Sequence, residues 1–368
     1  MSQAMTWRKI APQEQYITIN KMKRFPLIST LLAFCSIFVP IALQAKDGEI
    51  KVLQWNVWQE GTMVKGGYDA IVSEIARLKP DFVTLSEVRN YHGRDFIARL
   101  RKDLQANGIT YYGFSTYDSG LLSLHPITDS LTVYPEKDDH GSIYGLRCEV
   151  DGREYAVYTA HLDYLDCSYY NVRGYDGSTW EEVPIAKTAE EVIARSLKSK
   201  RLEAIKAFLK EAKKDSLEGR TVILGGDFNE PSHLDWRENT RYTRDHHGLV
   251  IDWPVSTTLK KHGFTDAFRK QWPDALTAPG FTFPADNPDV PEKKLTWTPL
   301  GDERERIDFI FFRTDDEGLK LKDCCVFGPE GDIFYERRVP GQGKECRVLP
   351  GGVWPSDHKG LIATFSIR

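Results

Sequence analysis

Carboxylates, carboxamides and histidines recur at the ends of apolar runs in this chain: Asn56 in QWNVW, Glu87 in LSEV, His161 and Asp163 in TAHLD, Asp227 and Asn229 in GGDFN, Asp308 in RIDFI, and Asp357 with His358 in WPSDHKG. Oxygen-rich sets of this kind suit a hard cation such as Mg2+, and histidines exchange protons near neutral pH. Phosphoester hydrolysis needs these parts: a cation against the phosphate charge, an activated water, and stabilisation of a pentavalent transition state. Asp227 and Asn229 stand two residues apart, just past the apolar run 221–224. That spacing sends both side chains to one face of an extended segment. Gly, Asp and Asn are also turn residues, so each motif by itself reads as a turn too. Their recurrence beside strand-like runs along the whole chain favours a site.

Periodicity supplies the elements that must position these groups. Residues 49–57 read as a strand, and Gly66-Gly67 opens a helix with Ile71, Val72, Ile75 and Leu78 at helical spacing, closed by Pro80. Residues 81–88 form a buried strand, residues 94–106 an amphipathic helix, and YYGFS, GLLSL and LTVYP short strands. Residues 144–163 read as a hairpin turning at Asp151-Gly152. Residues 164–184 break the pattern with tyrosines, Trp180 and two glycines; a long helix is expected over 185–214, and a helix plus turn over 256–268. Strands at 305–312, 321–327 and 359–367 close the chain. Strands in two sets separated by helices predict two mostly antiparallel sheets packed together with helices outside. No linker divides residues 46–368, so one domain is expected there.

On these motifs, in this order, the chain resembles the endonuclease/exonuclease/phosphatase superfamily over residues 49–368, GDFN and the terminal SDH being the most telling. The resemblance implies a deoxyribonuclease I-like α/β fold (α+β), a four-layer sandwich of two mostly antiparallel sheets flanked by helices. It implies Glu87 as a metal ligand, with Asn56 and Asp357 in support, and Mg2+ as the metal, with Mn2+ as a substitute. Asp227 would orient or deprotonate the attacking water, Asn229 donate to a phosphate oxygen, and His161 bind or protonate one. Asp308 would hold the tautomer of His358, as a triad aspartate does. Two routes for the base, through Asp227 or through His358, stay open.

Apolar residues make up 41% and charged residues 28% of the 368, the balance of a folded domain. The N-terminal 45 residues differ: Lys21-Met22-Lys23-Arg24 precedes an apolar run over 26–43 and then Gln44-Ala45. This is the layout of a secretory signal, or of an anchor if uncleaved, so export to the periplasm or the extracellular space is expected, with membrane contact only through residues 26–43. Without residues 1–45 the chain loses five basic groups and one acidic group, and its net charge moves from −4 to −8. No overall basic footprint for long nucleic acid remains. Five cysteines lie beyond residue 45, an odd number, with a connectivity the spacing does not specify.

The substrate is the least legible feature. The aromatic insertion 164–180 leaves from the His161 strand, so Arg173, Tyr175 and Trp180 are candidates to grip a base, a sugar or a headgroup. Trp236 and His246 follow GGDFN, and Trp297 precedes the Asp308 strand; they complete the substrate-binding candidates. The leading expectation is an exported, Mg2+-dependent phosphodiesterase or phosphomonoesterase. A secreted nuclease is the alternative within enzymes, and a silent binder of a phosphorylated ligand is the alternative outside them. The intact set of candidate catalytic residues argues against the last.

Overall fold

Charged and apolar residues alternate in strand β1 (Gly48–Asn56), which buries Ile50, Val52, Leu53 and Trp55. The computed structural model describes residues 48–315 and 317–367; the expected signal or anchor at 1–45 lies outside the described residues. Helix α1 (Gly67–Leu78) returns the chain so that β2 (Phe82–Val88) lies parallel to β1. Helix α2 (Phe96–Ala106) is capped by Asp95, whose carboxylate accepts the Ala98 amide. The strands β3 (Asp118–Ser123), β4 (Ile127–Tyr134), β5 (Gly141–Val150) and β6 (Arg153–Leu162) follow. The last two form a hairpin through Asp151-Gly152, both at positive φ as a tight two-residue turn requires.

Helices α3 (Ala189–Ser196) and α4 (Arg201–Leu217) lead to β7 (Thr221–Asp227), parallel to β6. Then come α5 (Pro254–Lys261), β8 (Thr265–Asp266), α6 (Ala267–Gln271), β9 (Asp308–Arg313) and β10 (Leu319–Phe327). The hairpin β11 (Asp332–Phe334) and β12 (Arg337–Val339), then β13 (Arg347–Val348) and β14 (Gly360–Ile367), complete the chain.

Two six-stranded sheets result, ordered β13-β10-β14-β1-β2-β3 and β4-β5-β6-β7-β9-β8. Neighbours are antiparallel except at β1–β2, β6–β7 and β10–β13. Ile50, Val52, Phe82 and Phe365 of the first sheet interdigitate with Leu146, Val157, Ile223 and Ile310 of the second. Helices α1 and α2 cover the outer face of the first sheet through Ile71, Ile75, Phe96 and Leu100. Helices α4 and α5 cover the second through Ile205, Phe208, Val255 and Leu259. This is the expected four-layer sandwich. The C-terminal strands β10 and β14 join the sheet that β1 began, a non-local pairing that periodicity does not reveal.

Two local expectations change. The helix expected over 185–214 is broken at residues 197–200, because Asp163 accepts the Lys200 amide and fixes where α4 starts, while buried Arg201 donates to the carbonyls of Asp163, Leu165 and Asp166. YYGFS makes only the bridge Tyr112–Ser123 rather than a strand. Cys325 and Cys346 form a disulfide, and Cys148, Cys167 and Cys324 are buried free thiols. Among the described residues, no helix is long and apolar enough to cross a membrane.

Candidate active site

One edge of the sandwich collects the polar residues because the strands end or begin there. His161, Asp227 and Asp308 occupy a single cross-strand row of the second sheet, and Asn56 closes β1 in the first. The glycines of GGDFN permit close approach on two sides: a Cβ on Gly225 would lie 2.2 Å from Thr84 Oγ1 of the other sheet, and one on Gly226 would lie 2.2 Å from the Ala160 carbonyl oxygen of the neighbouring strand β6. Ser86 stitches the sheets there, donating to the Ala160 carbonyl and accepting the Asp227 amide. Glu87 is the extra residue of a β-bulge, at φ +66, between the pairs Ser86–Ser119 and Val88–Asp118. Bulges re-aim side chains, and this one turns Glu87 into the cavity.

Asn56 Nδ2 joins the two halves, 3.0 Å from Glu87 Oε1 and 2.9 Å from Asp227 Oδ2. The Gln59 amide holds Glu87 Oε2 at 2.8 Å. Asp227 Oδ1 accepts the Asn229 amide at 2.9 Å, while Asn229 Nδ2 donates to the Leu162 carbonyl. Buried Asp308 bridges Gln54 Nε2 and His358 Nδ1, at 3.0 and 2.9 Å. Asp118 holds His161 Nδ1 at 2.8 Å, and Arg89 reaches the same carboxylate oxygen at 3.0 Å.

The charges follow from these pairings. Burial disfavours the His161 imidazolium, but Asp118, with help from Asp227 and Glu87, outweighs it and pushes the ring up to about 9. Burial likewise opposes the His358 cation, and Asp308 and Asp227 carry it to about 10. Burial and the Asp308 carboxylate raise Asp227 above the ordinary carboxylate range, against the pull of both histidines. Asp357 is raised by burial, then by Glu87, and its Oδ1 is buried with no hydrogen-bond partner.

Eighteen residues line a cavity of about 290 Å³ here. Glu87, His161, Asp227, Asn229, Asp357 and His358 form its polar end, and Tyr164, Tyr169, Tyr170, Trp180, Phe283 and Trp297 its aromatic wall. Asn56 and Asp308 lie behind, bonded to lining residues. Of the substrate-binding candidates, Trp180 and Trp297 reach the cavity and the other four do not. Arg173 is buried in an ion pair with Glu305 at 2.6 Å, and donates to the carbonyls of Tyr169 and Asp302. Trp236 and His246 stack on one another in the interior, centroids 3.6 Å apart, and the Tyr175 hydroxyl accepts the Leu300 amide. These four hold loops together. Asp163 is also a loop organiser, accepting the amides of Leu165 and Lys200.

Sequence reasoning passed over Asp118 and Arg89. The same signal that found the others, a carboxylate at a strand end, was present in YDSGLLS. Because β3 runs antiparallel to β2, it begins where β2 ends, so its first residue faces the site.

The sequence pattern of the Endonuclease/Exonuclease/phosphatase family matches residues 53–358. The chain belongs to this family. It is a metal-dependent phosphoester hydrolase. An uncharacterized Caenorhabditis elegans protein, F14F9.5, is 26% identical over 318 residues, covering 86% of this chain and 91% of that one. Among solved structures, this family member is similar to D. rerio TDP2 complexed with single strand DNA product, at 17% identity and a TM-score of 0.49 over 87% of this chain and 99% of that chain. It is also similar to the human Nocturnin catalytic domain with bound sulfate anion, at 16% identity and a TM-score of 0.45 over 87% and 95%.

Among the described residues, two groups of side chains offer metal-ligand atoms close together, Asp227–Asp308–His358 and Asp323–Cys325–Cys346. The second spends both sulfurs in the disulfide. In the first, Asp308 Oδ2 and His358 Nδ1 are already hydrogen-bonded to each other. The open carboxylate oxygen of Asp357, beside Glu87, fits a hard divalent cation better.

Proposed function

We propose that the chain is a Mg2+-dependent hydrolase of a small phosphoester, with Asp227 as the base and both histidines as phosphate-binding donors. The observation that carries this is the pair of Nε2 atoms aimed at Asp227 Oδ2. His358 Nε2 is 3.7 Å and His161 Nε2 4.0 Å from that oxygen, too far to spend their protons on it. Each ring has its Nδ1 fixed on a carboxylate and is held in the cationic form. Two charged donors therefore stay open to substrate oxygens.

Glu87 and Asp357, with Asn56 in support, would hold the cation, which supplies charge neutralisation at the phosphate and a more acidic water. Asp227, raised towards neutrality and steadied by the Asn56 carboxamide and the Asn229 amide, accepts the proton of the attacking water. Asn229 has one amide hydrogen on the Leu162 carbonyl and a second for a phosphate oxygen. Protonated histidines make poor bases, which favours the route through Asp227. His161 and His358 donate to the oxygens that gain charge, and Asp118 and Asp308 keep their donor faces turned inward.

The cavity volume and its aromatic wall support a small substrate rather than a duplex. We further infer export from the basic-then-apolar segment over 21–45, and a disulfide between Cys325 and Cys346 is in keeping with an oxidising compartment. The deciding assay compares bis-p-nitrophenyl phosphate with p-nitrophenyl phosphate, each with Mg2+ or EDTA. Mg2+-dependent release of nitrophenolate, lost in Asp227→Asn, is expected. Inertness on both with Mg2+ and Mn2+ would defeat the hydrolytic reading, and nicking of supercoiled plasmid in place of small-ester turnover would move it to a nuclease. Export is checked by the N-terminal residue of protein recovered outside the cytoplasm.

A further inference from the structure

Hydrolysis makes no use of a groove at the opposite end of the sandwich. Strand β9 leaves the active site at Asp308 and ends at Arg313, about 17 Å of extended chain away. There α4, α5 and the end of β9 border a groove of about 940 Å³. Its floor is apolar, made by the buried residues Leu209, Ala212 and Phe264. Its walls are cationic. Lys206, Lys210 and Lys213 share one face of α4 at i, i+4 and i+7, Lys261 comes from α5 and Arg313 from β9. Asp315 is the one acidic group among the described lining residues. Lys214, the next residue on α4, is paired with Glu211 at 2.7 Å, but the four lysines of the groove are exposed and form no ion pair among the described residues.

Five like charges around one groove, on a chain that is otherwise acidic, attract a multiply charged anion. Of the acidic groups at this end, Glu154 and Glu218 are already matched by Arg220. Two further features say what kind of anion fits. Leu217, at the end of α4 and in the lining of the groove, is 79% exposed, more than any other large apolar side chain described. Strand β1 also starts at this end. Gly48 lies against the β5–β6 turn, where a Cβ on it would come 3.3 Å from the Asp151 carboxylate, and Thr221 and Arg313 belong to the same row of strand ends. The apolar run 26–43 ends five residues before Gly48 in sequence. Cations, an exposed leucine and the attachment of an apolar segment thus fall at one end of the domain.

We propose that this groove docks the domain on an anionic phospholipid surface, with the lysines on lipid phosphates, Leu217 in the interfacial hydrocarbon, and the active site at the end turned away. The match is one of chemistry: polybasic segments are drawn to anionic leaflets, and an adjoining apolar side chain adds buried area. A nucleic-acid backbone fits less well. A strand held at Asp227 occupies the other end of the sandwich, and a phosphodiester chain has nothing to place on Leu217. Docking of this kind is independent of which phosphoester the active site hydrolyses.

The test places a nitrobenzoxadiazole label on Leu217→Cys in the full chain; the free thiols Cys148, Cys167 and Cys324 are buried and stay unlabelled. The label reports contact at the groove whatever residues 26–43 do. Its emission is read with phosphatidylglycerol vesicles and with phosphatidylcholine vesicles. A blue shift on phosphatidylglycerol, absent on phosphatidylcholine and reversed by added salt, is expected. In the same labelled background, Lys206→Gln/Lys210→Gln/Lys213→Gln should need about a hundredfold more lipid, since each lysine near an anionic surface is worth about fivefold. The matching triple arginine variant keeps the charge and should respond as the parent does. No loss in the glutamine variant, or equal loss in both variants, overturns the proposal. So does the absence of a shift on phosphatidylglycerol, or an equal shift on both kinds of vesicle. A response to oligoglutamate or to a single-stranded oligonucleotide, with none to vesicles, would give the groove to a soluble polyanion and overturn the membrane assignment.

Discussion

Asp118 Oδ1 lies 2.8 Å from His161 Nδ1 and 3.0 Å from Arg89 Nη1, so a single buried carboxylate oxygen serves two cations that line the cavity. Burial works against a charged His161, and Asp118 reverses it, with Asp227 and Glu87 adding to the effect. The ring therefore stays protonated below about 9 and loses its proton as the pH rises through that value. In a pH profile of kcat/KM, an alkaline limb near 9 is expected from this group. Asp118→Asn keeps the shape of the side chain but removes the charge, so the limb should move towards the ordinary histidine value of about 6.5. Activity at pH 8 should fall by about thirtyfold, because a ring at about 6.5 is only about 3% protonated there. A limb that stays in place in Asp118→Asn would mean that another group titrates there.

Metal removal separates structural from functional roles at the polar end. Asp357 carries a buried oxygen with no partner, so the metal-free protein bears that cost unrelieved. Mg2+ is expected to raise the Tm of the wild type by mass action on the folded state. Asp357→Asn should cut that rise and demand at least about tenfold more Mg2+ for half-maximal activity, while being no less stable than the wild type in EDTA. A Tm response to Mg2+ equal to that of the wild type would remove Asp357 from the cation site.

Legibility in the sequence followed how local each determinant is. β2 and β7 were plain because each is an unbroken buried run, and the residues after them were found because a strand end advertises itself. Asp118 uses the same chemistry at the opposite end of a strand, and finding it requires knowing that β3 runs antiparallel to β2. The aromatic residues were harder. Trp236 and Trp297 sit in comparably polar surroundings in sequence, yet one is sealed against His246 while the other faces the cavity. Only long-range packing distinguishes them. The break between α3 and α4 was invisible for the same reason, since Asp163, some 37 positions earlier, decides where α4 begins.

Arg173 illustrates how a residue chosen for binding turns out to hold the frame. Its guanidinium is fully enclosed against Glu305, which is held down to about 2, against the effect of burial, chiefly by that same Arg173. Removing one partner of a buried pair strands the other charge. Arg173→Ala should therefore destabilise folding by about 3–5 kcal/mol in urea titrations, well beyond any change in KM that survives in the folded fraction. The sign with pH follows from the depressed carboxylate: the contribution of Glu305 is complete above about 4.5 and is lost as the pH falls through about 2. A stable Arg173→Ala protein with a raised KM would return Arg173 to the substrate.

The disulfide closes a loop between positions 21 apart, Cys325 at the end of β10 and Cys346 just before β13. Those two strands pair over only two residues, Val326 with Arg347 and Phe327 with Val348. So short a ladder does little to hold the intervening segment, and the covalent link supplies what it lacks. Restricting the unfolded chain by a loop of this size contributes about 3 kcal/mol. The Cys325→Ser/Cys346→Ser double variant is expected to unfold at lower urea by that amount. Neither cysteine lines the cavity, so its turnover per folded molecule should match the wild type. Addition of dithiothreitol should bring wild-type stability down to that of the variant and leave the variant where it is. Equal stability of wild type and variant under oxidising conditions would show that the link does not form in the folded protein.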